Sequence, residues 1–219
     1  MAFPVCGTES GSQIADASVW INLAATGRLA EVLEALSAPI SIAEVALCEL
    51  ERGRTNGHGA YGQIYPMVQS GQIQAVSISA AEEDLYLGLV AGGTAETLDD
   101  GEAATLALAV SLSAIAVIDE RKATTLANRR FPLLEIRSTT DLLFETLPYE
   151  GHHIGPLAEA LFGALQGARM RVPAHWQSRV IDVLGCERAS LCSSLPAHLR
   201  MIKTSLGEDG GQLLAKHET

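Results

Sequence analysis

Four acidic side chains stand at positions where a carboxylate could do chemistry. Asp16 ends the short apolar run Ile14-Ala15, and Asp119 ends the run Ile115-Ala116-Val117-Ile118. Glu49 interrupts an apolar stripe. At 100° per residue from Ile42, residues Ile42, Val45, Ala46 and Leu50 share one face with Glu49 in its middle, while Glu44 and Glu51 lie opposite. Glu102 opens the apolar helical segment that follows Leu98-Asp99-Asp100-Gly101. Carboxylates packed together cannot all stay ionised without a counter-charge, and hard oxygen donors suit Mg²⁺ or Mn²⁺. Each residue also has a plainer reading. Asp16 and Asp119 can cap the helices that follow them. Asp99 and Glu102 have the spacing of a capping box. Glu49 can pair with Arg52 or Arg54, or reach out from the helix end, and Glu44 competes with it for the same role.

The elements that would position these acids alternate. The fold is expected to start near Gln13, after a Gly- and Ser-rich lead of about ten residues. A strand ending at Asp16 precedes apolar residues at helical spacing from Val19 to Leu36, broken near Thr26-Gly27. An extended piece over Pro39 to Ile42 leads into a helix to about Arg52, and Gly53 to Gly62 reads as a glycine-rich loop. Strands are expected over Ile73 to Ile78, Ile115 to Ile118 and Leu133 to Ile136, with helices over Ala80 to Val90, Gly101 to Ser113 and up to Arg130. Such alternation indicates a parallel sheet covered by helices on both faces, a three-layer α/β/α architecture. If the strands ending in Asp16 and Asp119 lie side by side, their carboxylates meet at the carboxyl edge of the sheet, where open parallel sheets bind ligands. From Asp141 onward only helices are expected, with Leu157 to Gln166, Ala174 to Leu184 and Pro196 to Ser205 as candidates and the last dozen residues frayed.

The runs IADASVWINLAATGRLAEV, SIAEVALCELERG, LDDGEAATLALA and AIAVIDERKATTLA resemble, in order, the four acidic motifs of the PIN-domain nucleases. The last two most resemble the toxin–antitoxin-associated (VapC-like) branch. The resemblance covers about residues 13 to 145. It implies a PIN-like domain over residues 12–147; residues 148–219 exceed the compact domain that the family usually shows and are read, from apolar spacing, as a helical C-terminal extension. It implies catalysis and metal binding by Asp16, Glu49, Glu102 and Asp119, with Ser18 orienting them from behind. It further implies an endoribonuclease that hydrolyses RNA with Mg²⁺ or Mn²⁺, acts as the toxin of a toxin–antitoxin pair, forms homodimers and is covered by a proteinaceous antitoxin. The alternative from another class is a non-catalytic PIN-like module that binds a protein or RNA; the presence of all four acids favours the enzyme. Neutralising Asp16 or Asp119 to Asn is expected to abolish cleavage and leave the fold intact, since Asn can still cap a helix.

Charge and composition limit the remaining classes. Residues 1 to 120 hold 3 basic and 16 acidic residues, a net of −13, whereas residues 121 to 219 hold 12 basic and 10 acidic, a net of +2. The acidic part would repel a phosphate backbone unless cations offset it, and Arg121, Lys122, Arg129, Arg130 and Arg137 could supply backbone contacts. Four scattered cysteines and the absence of a signal-like N-terminus point to the cytoplasm rather than a disulfide framework. No apolar run suits a membrane span. Gly7 to Gly11 precede the first strand and so form no dinucleotide fingerprint. Asp16-Ala17-Ser18 lacks the second Asp of an aspartyl-phosphate phosphatase. His152, His153, Cys186 and Cys192 have no zinc spacing, and Trp20 and Trp176 are expected in the core rather than as base-stacking platforms.

Overall fold

The computed structural model describes residues 11–54, 59–91, 93, 97–149, 151 and 153–198. Five short strands, β1 (Gln13–Ala15), β2 (Ile40–Ala43), β3 (Gln74–Val76), β4 (Ile115–Val117) and β5 (Ile136–Arg137), form one sheet in the order β3-β2-β1-β4-β5. Every pairing is parallel, with Ile14 opposite Ser41 on one side and Ala116 on the other. Between the strands run α1 (Ala17–Ala25), α2 (Leu29–Ala35), α3 (Glu44–Arg54), α4 (Ala60–Gln69), α5 (Glu83–Val90), α6 (Asp100–Ser111) and α7 (Arg121–Arg130). After β5 come α8 (Thr139–Thr146), α9 (Pro156–Gly167), a 3-10 turn (Ala174–Trp176) and α10 (Gln177–Leu191). The expected α/β/α layering is present: a central parallel sheet flanked by helices.

Apolar spacing explains the layers. One buried cluster joins Ile14, Ile42 and Val117 of the sheet to Trp20 and Leu23 of α1 and to Leu142, Leu157 and Leu161 of α8 and α9. A second joins Ala116 and Ile118 to Leu89, Leu106 and Leu126 of α5, α6 and α7. Helix α6 is buried from Gly101 to Ala109 on every side and feeds both clusters, as a helix without a polar face must. The apolar residues after Leu157 share the core of β1 and α1. There Gly163 brings α9 so near the end of α1 that a Cβ would stand 2.6 Å from the Ala25 carbonyl oxygen.

Several boundaries differ from the sequence reading. The extended piece expected over Pro39 to Ile42 is β2, shifted by one residue to Ile40–Ala43. The Gly53 to Gly62 stretch gives way to α4 at Ala60, because Ala60, Ile64 and Met67 present a packing stripe that its glycines obscure. The last strand is Ile136–Arg137 rather than Leu133 to Ile136, and Leu133 is fully exposed. The N-terminal lead up to residue 10, residues 199–205 of the Pro196 to Ser205 helix and the frayed terminus lie outside the described residues. No described helix is long and apolar enough to cross a membrane.

Candidate active site

The strand order decides the site. Asp16 donates its backbone N–H to Val117 O at 3.1 Å, tying the end of β1 to the end of β4 two residues before Asp119. These strands meet at the point where the sheet order reverses, the usual ligand crevice of an open parallel sheet.

Asp16 is both a cap and a member of the acid set. Its Oδ2 accepts from Ser18 N at 3.2 Å and Ser18 Oγ at 2.7 Å, which caps α1. Only 4% of Asp16 is exposed, and burial pushes its carboxyl above the ordinary value; the Ser18 bonds pull it back and the Asp99 charge raises it further.

Asp119 does not cap the helix that follows it. The cap of α7 is Glu120, whose carboxylate accepts from Lys122 N and Ala123 N. Asp119 instead lies buried under three donors: Asn22 Nδ2 at 2.6 Å and Thr139 Oγ1 on Oδ2, and Thr139 N at 2.9 Å on Oδ1. Burial still holds its carboxyl above the ordinary range. This geometry argues against the expectation that Asn would be tolerated there, because an amide NH₂ in place of one oxygen would face a donor already aimed at it.

Glu49, rather than Glu44, enters the set. It projects from α3 between buried Ala46 and Leu50, and its Oε1 accepts from Gly101 N at 2.9 Å, whereas Glu44 is exposed. Burial first, then the charges of Asp99 and Asp16, push Glu49 up to about 7. Glu102 forms the expected capping box: Asp99 Oδ1 accepts from Glu102 N at 2.9 Å and Glu102 Oε2 from Asp99 N at 3.4 Å. It is buried, and burial with the charges of Asp99, Asp16 and Glu120 pushes it up to about 8.

Asp16 is thus the hub, its charge acting on Glu49, Glu102 and Asp119. What chiefly draws these carboxyls down is hydrogen bonding; no cation is among their leading influences. Such donors fit Mg²⁺ or Mn²⁺ by chemistry. They do not fit by ready-made spacing: no three His, Cys, Asp or Glu side chains among the described residues stand close enough to cage an ion as they are.

Sequence reasoning overlooked three residues here. Asn22 is a buried polar residue in an apolar helix, the same signal that singled out Glu49, and could have been found by it. Thr139 and Gly101 have no such signature, since their roles depend on partners brought near by the fold, whereas Asp99 was legible as the cap of α6 but not as a charge acting on Asp16 and Glu49. Trp20 is core, its Nε1 donating to Ala15 O at 3.2 Å, and Trp176 stacks on Phe144 with its Nε1 bonded to Asp141 at 2.7 Å. His153 lies against Val183 O and Gly185, while His152 falls outside the described residues. A shallow hollow of about 490 Å³, lined by Thr26 to Glu31, lies at the opposite end of α1 and contains none of the four acids.

A family model described as a PIN domain matches residues 12–185. Among solved structures, the crystal structure of PAE2754 from Pyrobaculum aerophilum is similar at 12% identity with a TM-score of 0.45, covering 64% of this chain and 93% of that one. No curated protein matches.

Proposed function

The chain belongs to the PIN-domain family, generally nucleases, and from that premise we propose that it is a divalent-metal-dependent endoribonuclease acting through Asp16, Glu49, Glu102 and Asp119. The observation that carries the reading is the Asp16 N–Val117 O bond, which sets two strand-end acids side by side with Glu49 and Glu102 within reach of the Asp16 charge. Asp16 and Asp119 are the candidates for direct ligands of Mg²⁺ or Mn²⁺, and Glu49 and Glu102 for direct or water-mediated ones. When bound, the ion would polarise the scissile phosphate and acidify a water. Ser18 holds one oxygen of Asp16 in place, and Asn22 with Thr139 fixes both oxygens of Asp119, so each Asp is oriented before any ligand arrives. Burial and neighbouring negative charge favour the protonated forms of Glu49 and Glu102, and a cation would favour the ionised forms.

The deciding assay offers purified protein mixed RNA, single-stranded DNA and duplex DNA with Mn²⁺, Mg²⁺ or EDTA. RNA cleavage that needs the metal and is lost in Asp16→Asn supports the reading; cleavage in EDTA, or full activity in that variant, refutes it. RNA as substrate, the toxin role, a homodimer and an antitoxin over the cleft are parts of the same proposal. Growth arrest on expression, relieved by a small upstream gene, tests the toxin role. Light scattering at micromolar concentration tests the dimer, and a strict monomer refutes it.

A further inference from the structure

The acids create a difficulty for any polyanion, and one answer comes from the C-terminal part of the chain. Arg171 Nη1 donates to the backbone oxygen of Asp119 at 2.7 Å. This bond links the segment after α9 to the residue whose carboxylate lies in the acid set, across 52 positions of sequence. The mount is firm. Arg169 takes a left-handed conformation with φ 55°, Met170 N bonds back to Ala164 O at 3.1 Å, and Val172 O accepts from Gln177 Nε2 at 3.3 Å. Met170 and Val172 are buried on either side, so the chain alternates inward, outward, inward and leaves Arg171 exposed. A guanidinium has five N–H donors in a planar fork. The bond to Asp119 orients the fork and uses one of them.

We propose that Arg171 is a substrate-positioning residue that binds a phosphodiester of single-stranded RNA beside the acid set. The inference rests on the ribonuclease reading and adds to it a residue outside the four acidic motifs. Because the guanidinium is anchored and flanked by buried residues, little side-chain freedom is lost when a phosphate arrives. The bond to Asp119 O places a positive charge at the backbone of one of the four acids, and its fork can grip a phosphate oxygen pair that Lys meets only as a point charge.

The test is binding of a fluorescent single-stranded RNA oligonucleotide in Ca²⁺, another oxygen-seeking divalent ion, followed by anisotropy across a salt series for wild type, Arg171→Gln and Arg171→Lys. Gln removes the charge and, being two bonds shorter, the bond to Asp119 O; Lys keeps the charge and most of the reach without the fork. Arg171→Gln should weaken binding roughly tenfold, and log K should fall less steeply with log salt by about 0.7. Arg171→Lys should keep the wild-type slope with an intermediate Kd. Melting temperatures identify any variant that has lost its fold, and the Lys variant then decides the matter: a Kd equal to wild type overturns the proposal. Unchanged affinity and slope in a folded Arg171→Gln overturns the inference alone. Wild-type protein that neither binds nor cleaves RNA overturns the ribonuclease reading beneath it.

Discussion

Glu102→Gln should make the metal-free protein more stable, by an amount that grows with pH. Folded Glu102 holds its proton up to about 8, against an ordinary value of 4.5 in the unfolded chain. Between those values the native state binds a proton that the unfolded state has released, so stability is fullest below 4.5 and falls as pH rises toward 8. At pH 7 the 2.5-unit gap to 4.5 corresponds to an upper limit of about 3 kcal/mol. Gln carries no such proton, keeps an oxygen to accept from Asp99 N, and brings an NH₂ group whose desolvation costs about 1 kcal/mol. A net gain of roughly 2 kcal/mol raises the melting temperature by roughly 4–8 °C in a chain of this size. The assay is a pair of melting curves in EDTA, at about pH 5 and about pH 8, for wild type and variant. The variant's advantage should be near zero or negative at the lower pH and several degrees at the higher. Adding Mn²⁺ should narrow or reverse it, because the ion stabilises whichever protein binds it more tightly. An advantage that does not change between the two pH values would refute the claim that buried charge at Glu102 is the burden.

Gly101→Ala should separate stability from activity. Nothing in the backbone there requires glycine, and Ala favours a helix by up to about 1 kcal/mol, yet its Cβ would meet Glu49 Oε2 and stand 2.9 Å from Cδ. We expect a melting temperature at or near wild type together with a large loss of metal-dependent cleavage; full activity would mean that Glu49 needs no fixed seat. Asp119→Asn should lose roughly 1–3 kcal/mol, because a donor replaces an acceptor under Asn22 and Thr139. Chemical denaturation checks it, and an unchanged midpoint would contradict the three-donor geometry. Removal of residues 148–219 should abolish cooperative unfolding, since Leu157, Leu161 and Leu165 pack in the same core as Ile14 and Trp20. Circular dichroism melts of the truncated chain would show it, and a sharp transition would speak against a shared core.

Alternation of short apolar runs with helical spacing was enough to reveal a parallel sheet with helices on both faces, because those patterns are set by which residues must be buried along each element. The acid at each strand end and Glu49 between Ala46 and Leu50 were legible for the same local reason. The α4 helix was not, since glycine at residues 57, 59 and 62 obscured its apolar stripe. The two capping readings came apart only in three dimensions: Asp16 does cap its helix, whereas Asp119 leaves that task to Glu120 and accepts from Asn22, 97 positions away. Strand order, the Gly101 seat for Glu49 and the reach of Arg171 to Asp119 O were likewise decided by tertiary structure. Each depends on groups far apart in the chain being brought within hydrogen-bonding distance, and periodicity, which reports only what one element buries, says nothing about which distant partner will arrive there.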